Sequence, residues 1–156
     1  MSSTSPGPEQ QALLDALQAE YAAVFAYGIV AAFSNTNRTD LVAANTAAHR
    51  ARRDATLDAL AAADVDAPEP EAGYTIPFAV TEPVSAAQLA AQVETDTAAA
   101  WLSVVERSQS EHTREVGVTA LTEAAVRAAN WRAILGEAPA TTAFRAEPES
   151  TTGVLH

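Results

Sequence analysis

Six charged or titratable residues of this sequence fall on apolar stripes that recur every three or four residues, as on the inward face of a helix. Carboxylates and imidazoles in such positions can bind hard divalent cations. Guanidinium groups can instead pair with buried carboxylates and keep them charged. The sequence therefore predicts either a metal centre or a core polar network made of Glu20, His49, Arg53, Glu94, Glu123 and Arg127.

Charge counting favours the network. The three glutamates would face the two arginines, and His49 can take a proton, so the cluster is close to neutral without a metal ion. A buried carboxylate without a partner would shift its pKa and become neutral, whereas arginine pairing keeps it ionised. The guanidinium groups would also repel an incoming cation. We therefore predict that the network is held by ion pairs. The alternative is that Glu123 is an exposed helix acid and that Arg53 and Arg127 extend outward to solvent.

Four helices must position these side chains. Start and stop signals predict helices over about 9–33, 39–63, 85–108 and 111–136. Pro8 suits the first helical position, and Ser85 with Gln88 has the spacing of a capping box. Gly136, followed by Pro139, is typical of a helix C-terminus.

The segment 64–84 holds four of the eight prolines, so it is not helical. At about 20 residues it can extend roughly 60 Å, whereas each flanking helix of about 25 residues is roughly 38 Å long. Its alternating Tyr74, Ile76, Phe78 and Val80 predict one apolar side laid along the helices. We predict an all-α, antiparallel four-helix bundle over 9–136 with one long crossover between helices 2 and 3, a disordered tail over 1–8 and a C-terminal tail over 137–156.

Composition excludes several classes of function. The formal net charge of −11 argues against nucleic acid, whose phosphates require a basic surface. The absence of cysteine excludes disulfides and zinc–thiolate sites. Residues 1–8 do not resemble a signal peptide, and polar residues interrupt every apolar stretch. We expect a cytoplasmic protein that contacts no membrane.

Several short motifs in a fixed order carry a resemblance to a known family: Glu-Tyr-Ala-Ala at 20–23, Ala-Tyr-Gly at 26–28, His-Arg-Ala-Arg-Arg-Asp at 49–54, Tyr-Thr-Ile-Pro-Phe at 74–78, and Trp-Arg at 131–132 before Gly136. In these residues the chain resembles a bacterial ferritin-like family that carries a domain of unknown function. The resemblance covers most of the chain from about residue 10 to 136. It implies the four-helix fold and no settled activity.

Ferritin-like di-iron proteins take one Glu from each of two helices and a Glu-x-x-His pair from each of the other two. In this sequence Thr46 stands where the pair ending at His49 requires its carboxylate. Glu123 is followed by Val126 where a histidine is required. The sequence thus predicts a degenerate di-iron site with an incomplete ligand set.

Three hypotheses follow. We prefer a non-enzymatic structural or protein-binding role without a cofactor, in which alanine-rich helix faces form a homo-oligomer, most simply a dimer. The alternative is a metal-dependent oxidase or iron-handling protein that binds iron or manganese through Glu20, His49 and Glu94. A third is a bundle that carries a small organic ligand between its helices. Under the preferred hypothesis Tyr21 and Tyr27 are packing residues whose hydroxyls find a partner, and Trp101 and Trp131 are core or interface aromatics.

Overall fold

The structure is a computed structural model that describes residues 5–136. Within this range the chain forms four long helices and no strand, which confirms the predicted all-helical class. The helices are α1 (Pro8–Phe33), α2 (Thr39–Ala62), α3 (Pro83–Arg107) and α4 (Glu111–Leu135), with a short 3-10 helix, Thr36–Arg38, before α2. The predicted C-terminal tail and the first four residues lie outside the described range.

The helix ends follow local chemistry, with one correction. The capping box of α3 is formed by Glu82 and Ser85, not by Ser85 and Gln88, because the helix begins earlier, at Pro83. The Glu82 carboxylate accepts hydrogen bonds from the backbone N–H groups of Val84 and Ser85. Gly136 ends α4 in the left-handed conformation at φ 73°.

The N-terminus of α1 is tied to the turn between α3 and α4. The Glu9 carboxylate accepts hydrogen bonds from the backbone N–H groups of Gln109 and Ser110 and from the Thr113 hydroxyl. Ser110 in turn caps α4 by accepting from the Thr113 N–H. One glutamate of the first helical turn therefore fixes the start of the last helix.

Helices α1 and α3 each pack against two other helices. Helix α1 packs against α2 and α3, and α3 packs extensively against α4. Two apolar clusters result: the Leu17 cluster, which includes Leu13, Leu60, Trp101 and Val104, and the Tyr27 cluster, which includes Val30, Val42, Leu89 and Trp131.

By length and composition α1 also meets the requirements for a membrane span, although ten of its residues, Glu20 among them, are buried within the protein. The predicted absence of a membrane span and the cytoplasmic location therefore remain predictions.

The irregular segment between α2 and α3 packs against the helices. The Tyr21 hydroxyl donates to the Pro68 carbonyl at 3.0 Å, and the Tyr74 ring lies 5.7 Å from that of Phe25, centroid to centroid. Ile76 and Val80 pack against the Tyr27 cluster. Phe78, predicted on the same apolar side, is instead 37% exposed.

Candidate functional site

A histidine held between two glutamates forms the centre of the candidate site. His49 on α2 is fully buried; its Nδ1 lies 2.7 Å from Glu20 Oε2 on α1, and its Nε2 lies 2.8 Å from Glu94 Oε1 on α3. A carboxylate accepts hydrogen bonds, and an imidazole donates from both nitrogens only when it carries both protons. The geometry thus fits an imidazolium between two carboxylates.

The pKa shifts agree with that protonation state. Burial, the largest influence on His49, lowers its pKa, but the hydrogen bonds that His49 donates to the two glutamates and their negative charges outweigh burial and raise the pKa of His49 to about 9. Burial raises the pKa of Glu94, yet His49, Arg127 and Tyr27 together hold it below its usual value. At neutral pH His49 is therefore positively charged and Glu94 negatively charged.

Tyr27 extends the network toward α4. Its hydroxyl donates to Glu94 Oε1 at 2.7 Å and accepts from Asn45 Nδ2 at 3.1 Å and from Trp131 Nε1 at 3.0 Å. Burial and the neighbouring Glu94 carboxylate raise the pKa of Tyr27, so the phenol stays protonated. One hydroxyl thus joins side chains from all four helices.

The remaining carboxylate oxygens also have partners. Trp101 Nε1 donates to Glu20 Oε1 at 2.9 Å, and Arg127 Nε donates to Glu94 Oε2 at 3.0 Å. The Arg127 side chain is 15% exposed, so its charge lies at the edge of the buried region. Across residues 5–136 every buried side-chain nitrogen or oxygen has a hydrogen-bond partner.

The charges of this group cancel. Glu20 and Glu94 contribute two negative charges, and the His49 imidazolium and the Arg127 guanidinium contribute two positive charges. A buried charge group is tolerated when its members are paired and fully hydrogen-bonded. We call the group formed by these four residues with Tyr27, Asn45, Trp101 and Trp131 the His49 network.

Two residues expected in the network lie outside it. Arg53 pairs with its neighbour Asp54 at 2.9 Å, and Glu123 pairs with Arg52 at 2.9 Å, in both cases at the surface. The Glu123 side chain is 49% exposed. The prediction that Arg53 and Glu123 face the core was therefore wrong.

The error came from the choice of helix face. On α4 the buried stripe is Gly117, Ala120, Ala124, Ala128 and Trp131, which is rotated by about one residue from the predicted face. Burying the large Trp131 indole turns Glu123 outward, since adjacent residues of a helix lie about 100° apart. On α2 the buried stripe similarly runs through Asn45 and Thr56, which leaves Arg53 at its edge.

The tyrosine hydroxyls were expected to find a partner, but the polar roles of Asn45, Trp101 and Trp131 were not predicted from the sequence. Two spacings in the sequence could have indicated these roles. Trp101 lies seven residues after Glu94, and Asn45 lies four residues before His49, so each shares a helix face with a charged core residue. A buried indole N–H requires an acceptor, and in this core the carboxylate and the phenol supply one.

The three residues considered as metal ligands do meet in space, but His49 lies between the two glutamates. In this geometry both imidazole nitrogens are engaged by carboxylates, so neither directs a lone pair toward a common metal position. Within residues 5–136 no group of three or more His, Cys, Asp or Glu side chains is arranged to hold a metal ion. Thr46 bonds back to the Val42 carbonyl and adds no ligand.

Comparison with known proteins assigns this all-helical chain to a sequence family. Residues 12–146 match the family described as Domain of unknown function (DUF4439), and the chain belongs to that family. This match confirms the domain-of-unknown-function part of the resemblance. No protein of curated function matches the sequence.

A solved structure agrees with the fold. The chain is similar to a conserved hypothetical protein, rv2844, from Mycobacterium tuberculosis, whose crystal structure superposes with a TM-score of 0.81. The two are 42% identical, and the similarity covers 86% of this chain and 100% of that one.

Proposed function

We propose that this protein is a non-enzymatic helical bundle in which a neutral ion-pair network occupies the place of a metal centre, and that it serves a structural or protein-binding role. The proposal rests on a single observation: each ring nitrogen of His49 is hydrogen-bonded to a different buried glutamate. An imidazolium in this position supplies the positive charge that a cation would otherwise supply.

The proposal includes an antiparallel, ferritin-like arrangement. The Leu17 cluster joins the first half of α1 to the ends of α2 and α3 through Leu60, Trp101 and Val104. The Tyr27 cluster joins the second half of α1 to the beginnings of the same two helices through Val42 and Leu89. Both observations support α2 and α3 running opposite to α1.

A crossover between α2 and α3 has similar support. The segment leaves α2 near the Leu17 cluster, against which Tyr74 packs. It then reaches the Tyr27 cluster through Ile76 and Val80, just before α3 begins at Pro83. This order supports a connection that travels the length of the bundle.

Metal analysis combined with NMR tests the proposal. Protein expressed with iron and manganese supplied should contain less than stoichiometric metal, and ¹H–¹⁵N spectra at pH 7 should show protons on both imidazole nitrogens of His49. Neither measurement requires an activity assay. Stoichiometric metal that disappears in Glu20→Ala would refute the metal-free proposal.

The second candidate is a metal-dependent oxidase or iron-handling protein. The observation that favours it is the convergence of Glu20, His49 and Glu94, all almost completely buried, from three helices. Metal binding would require His49 to lose a proton and to leave at least one carboxylate, so affinity should rise steeply with pH. Titration of the metal-free protein with Mn²⁺ at pH 6 and pH 9 distinguishes the two candidates.

Self-association is the simplest form of the protein-binding role, and α4 offers a surface for it. Val118 and Val126 are 47% and 55% exposed. With the exposed Thr122, Ala125 and Ala133 they lie on one face of α4, which Arg114 and Glu115 border beside Val118. Small residues allow two helices to approach closely.

Sedimentation velocity tests this dimer. The native chain should sediment as a dimer, and Val126→Glu should convert it to a monomer, whereas the matched surface change Ala59→Glu on α2 should have no effect. A native chain that stays monomeric at high concentration would exclude self-association through α4.

A further inference from the structure

A groove between the end of α1 and the first half of α2 lies outside the His49 network. Its volume is about 430 Å³, within the range typical of small-molecule sites. The groove exists because both helices present small residues: Ala31 and Ala32 from α1 and Ala43 from α2. Val42 adds an apolar side chain to the floor of the groove.

Polar groups lie at the rim of this groove. Ser34, Asn35, Thr36 and Thr39 from the turn between α1 and α2 contribute hydroxyl and amide groups, while Arg50 contributes a guanidinium. An apolar floor with a few polar groups at its margin is the usual design of a site that orients a small amphipathic molecule.

Arg50 indicates the charge of that molecule. Its neighbours Arg52 and Arg53 are paired with Glu123 and Asp54, whereas no carboxylate of residues 5–136 forms an ion pair with Arg50. Within residues 5–136, Arg38, Arg107, Arg114 and Arg132 also form no ion pair, but Arg50 is the one charged side chain among the residues that line the groove. A guanidinium binds carboxylates through charge-assisted hydrogen bonds.

We infer that this groove binds a medium-chain carboxylate, with the acyl chain on the alanine and valine floor and the carboxylate at Arg50. The site differs from the His49 network in position and chemistry, because it is open to solvent and uses one cation without a buried counter-ion. The bound molecule would join α1 and α2 along their outer surface.

NMR titration with octanoate and with uncharged 1-octanol tests this inference on the whole chain. Octanoate should shift the amide resonances of the groove residues in a saturable manner and bind at least tenfold more tightly than 1-octanol. Arg50→Gln should weaken octanoate binding about tenfold and leave 1-octanol binding unchanged, while Arg107→Gln, at the far end of α3, should change neither.

A second variant tests the floor of the groove. Ala43→Leu should fill the groove and abolish binding of both probes, whereas Ala47→Leu, at another exposed position of α2, should not. Both residues are exposed, so both variants should fold. Absence of saturable octanoate binding to the native chain, or equal binding by the native chain, Arg50→Gln and Ala43→Leu, would overturn the inference.

Discussion

At the scale of single residues, the core formed within residues 5–136 depends on hydrogen bonds that give every buried polar side-chain atom a partner. The Tyr27 hydroxyl, the His49 ring and the Glu94 carboxylate each make two or more contacts. Loss of one member therefore leaves several buried polar atoms unsatisfied, which is more harmful than loss of an isolated hydrogen bond.

Tyr27→Phe should lower the free energy of unfolding by about 3 kcal/mol, because it removes the partner of Asn45 and Trp131 and one donor to Glu94. Tyr21→Phe is the matched control. Its hydroxyl makes one partly buried bond to the Pro68 carbonyl, so the loss should be about 1 kcal/mol or less. Urea denaturation followed by circular dichroism measures both, and equal losses would contradict the role of Tyr27 as a hub.

Arg127→Leu should lower the free energy of unfolding by about 3 to 5 kcal/mol, because Glu94 would lose a compensating charge inside the protein. Arg53→Leu removes the same kind of side chain from a surface pair with Asp54 and should change stability by less than about 0.5 kcal/mol. Thermal and urea unfolding of the two variants provide the comparison. Similar values for both would mean that Arg127 does not stabilise the Glu94 charge.

Part of this network could be predicted from the sequence. Glu20, His49, Glu94 and Arg127 were placed by helical spacing, and the structure brings these four residues together. Arg53 and Glu123 could not be excluded, because each lies near the border of an apolar stripe, and a rotation of one residue decides between core and surface. That rotation depends on the packing of Trp131 against other helices, which spacing along one helix does not report.

At the scale of helices, the boundaries were largely predictable, because caps and breakers are local. Pro8 and Gly136 mark the start of α1 and the end of α4. The start of α3 was missed by two residues because Glu82 also acts as an N-cap, and proline at position 83 is compatible with the first helical turn. Distances between helices were not predictable, because they depend on which small residues face one another.

Two helical glycines differ in how closely a neighbouring helix packs against them. A Cβ atom at Gly117 would lie 2.9 Å from Val105 Cγ2 and 3.3 Å from Val104 Cγ1, whereas a Cβ atom at Gly28 would meet nothing within 4 Å. Gly117 therefore permits the close approach of α4 to α3, and Gly28 has no such role.

Gly28→Ala should raise the free energy of unfolding by about 1 kcal/mol, because alanine favours the helix and no atom obstructs its methyl group. Gly117→Ala gains the same helix propensity but crowds α3, so its net effect should be a loss of about 1 kcal/mol. Chemical denaturation of the two variants should separate them by about 2 kcal/mol. A stabilising Gly117→Ala would show that the valines of α3 can move aside.

At the scale of the whole molecule, the network links folding to pH. The folded state holds the His49 proton up to a pKa of about 9, whereas an unfolded histidine releases its proton near 6.5. The folded state thus binds more protons over this interval, so stability is fully present below pH 6.5 and falls as pH rises toward 9. The loss should be roughly 3 kcal/mol, since one pKa unit corresponds to about 1.4 kcal/mol.

Unfolding titrations between pH 6 and 9.5 measure this loss, and His112→Gln removes the other described histidine as a control. The free energy of unfolding of His112→Gln should depend on pH as it does in the native chain. An NMR titration should assign the high pKa to His49. Glu94 acts in the opposite direction: its pKa is lowered, so its contribution is present above pH 4.5 and declines as pH falls through its folded-state pKa. Constant stability across the alkaline interval would contradict a charged His49.

Four cancelling charges in one core also constrain how the sequence can diverge during evolution. A descendant that loses the base at position 127 retains an uncompensated acid at position 94, unless that acid changes in the same lineage or a new base arises beside it. Positions 49 and 20 are coupled in the same way. Among homologues these sites should therefore change in correlated pairs, and the double variant Glu94→Gln with Arg127→Leu should recover much of the stability lost by Arg127→Leu alone.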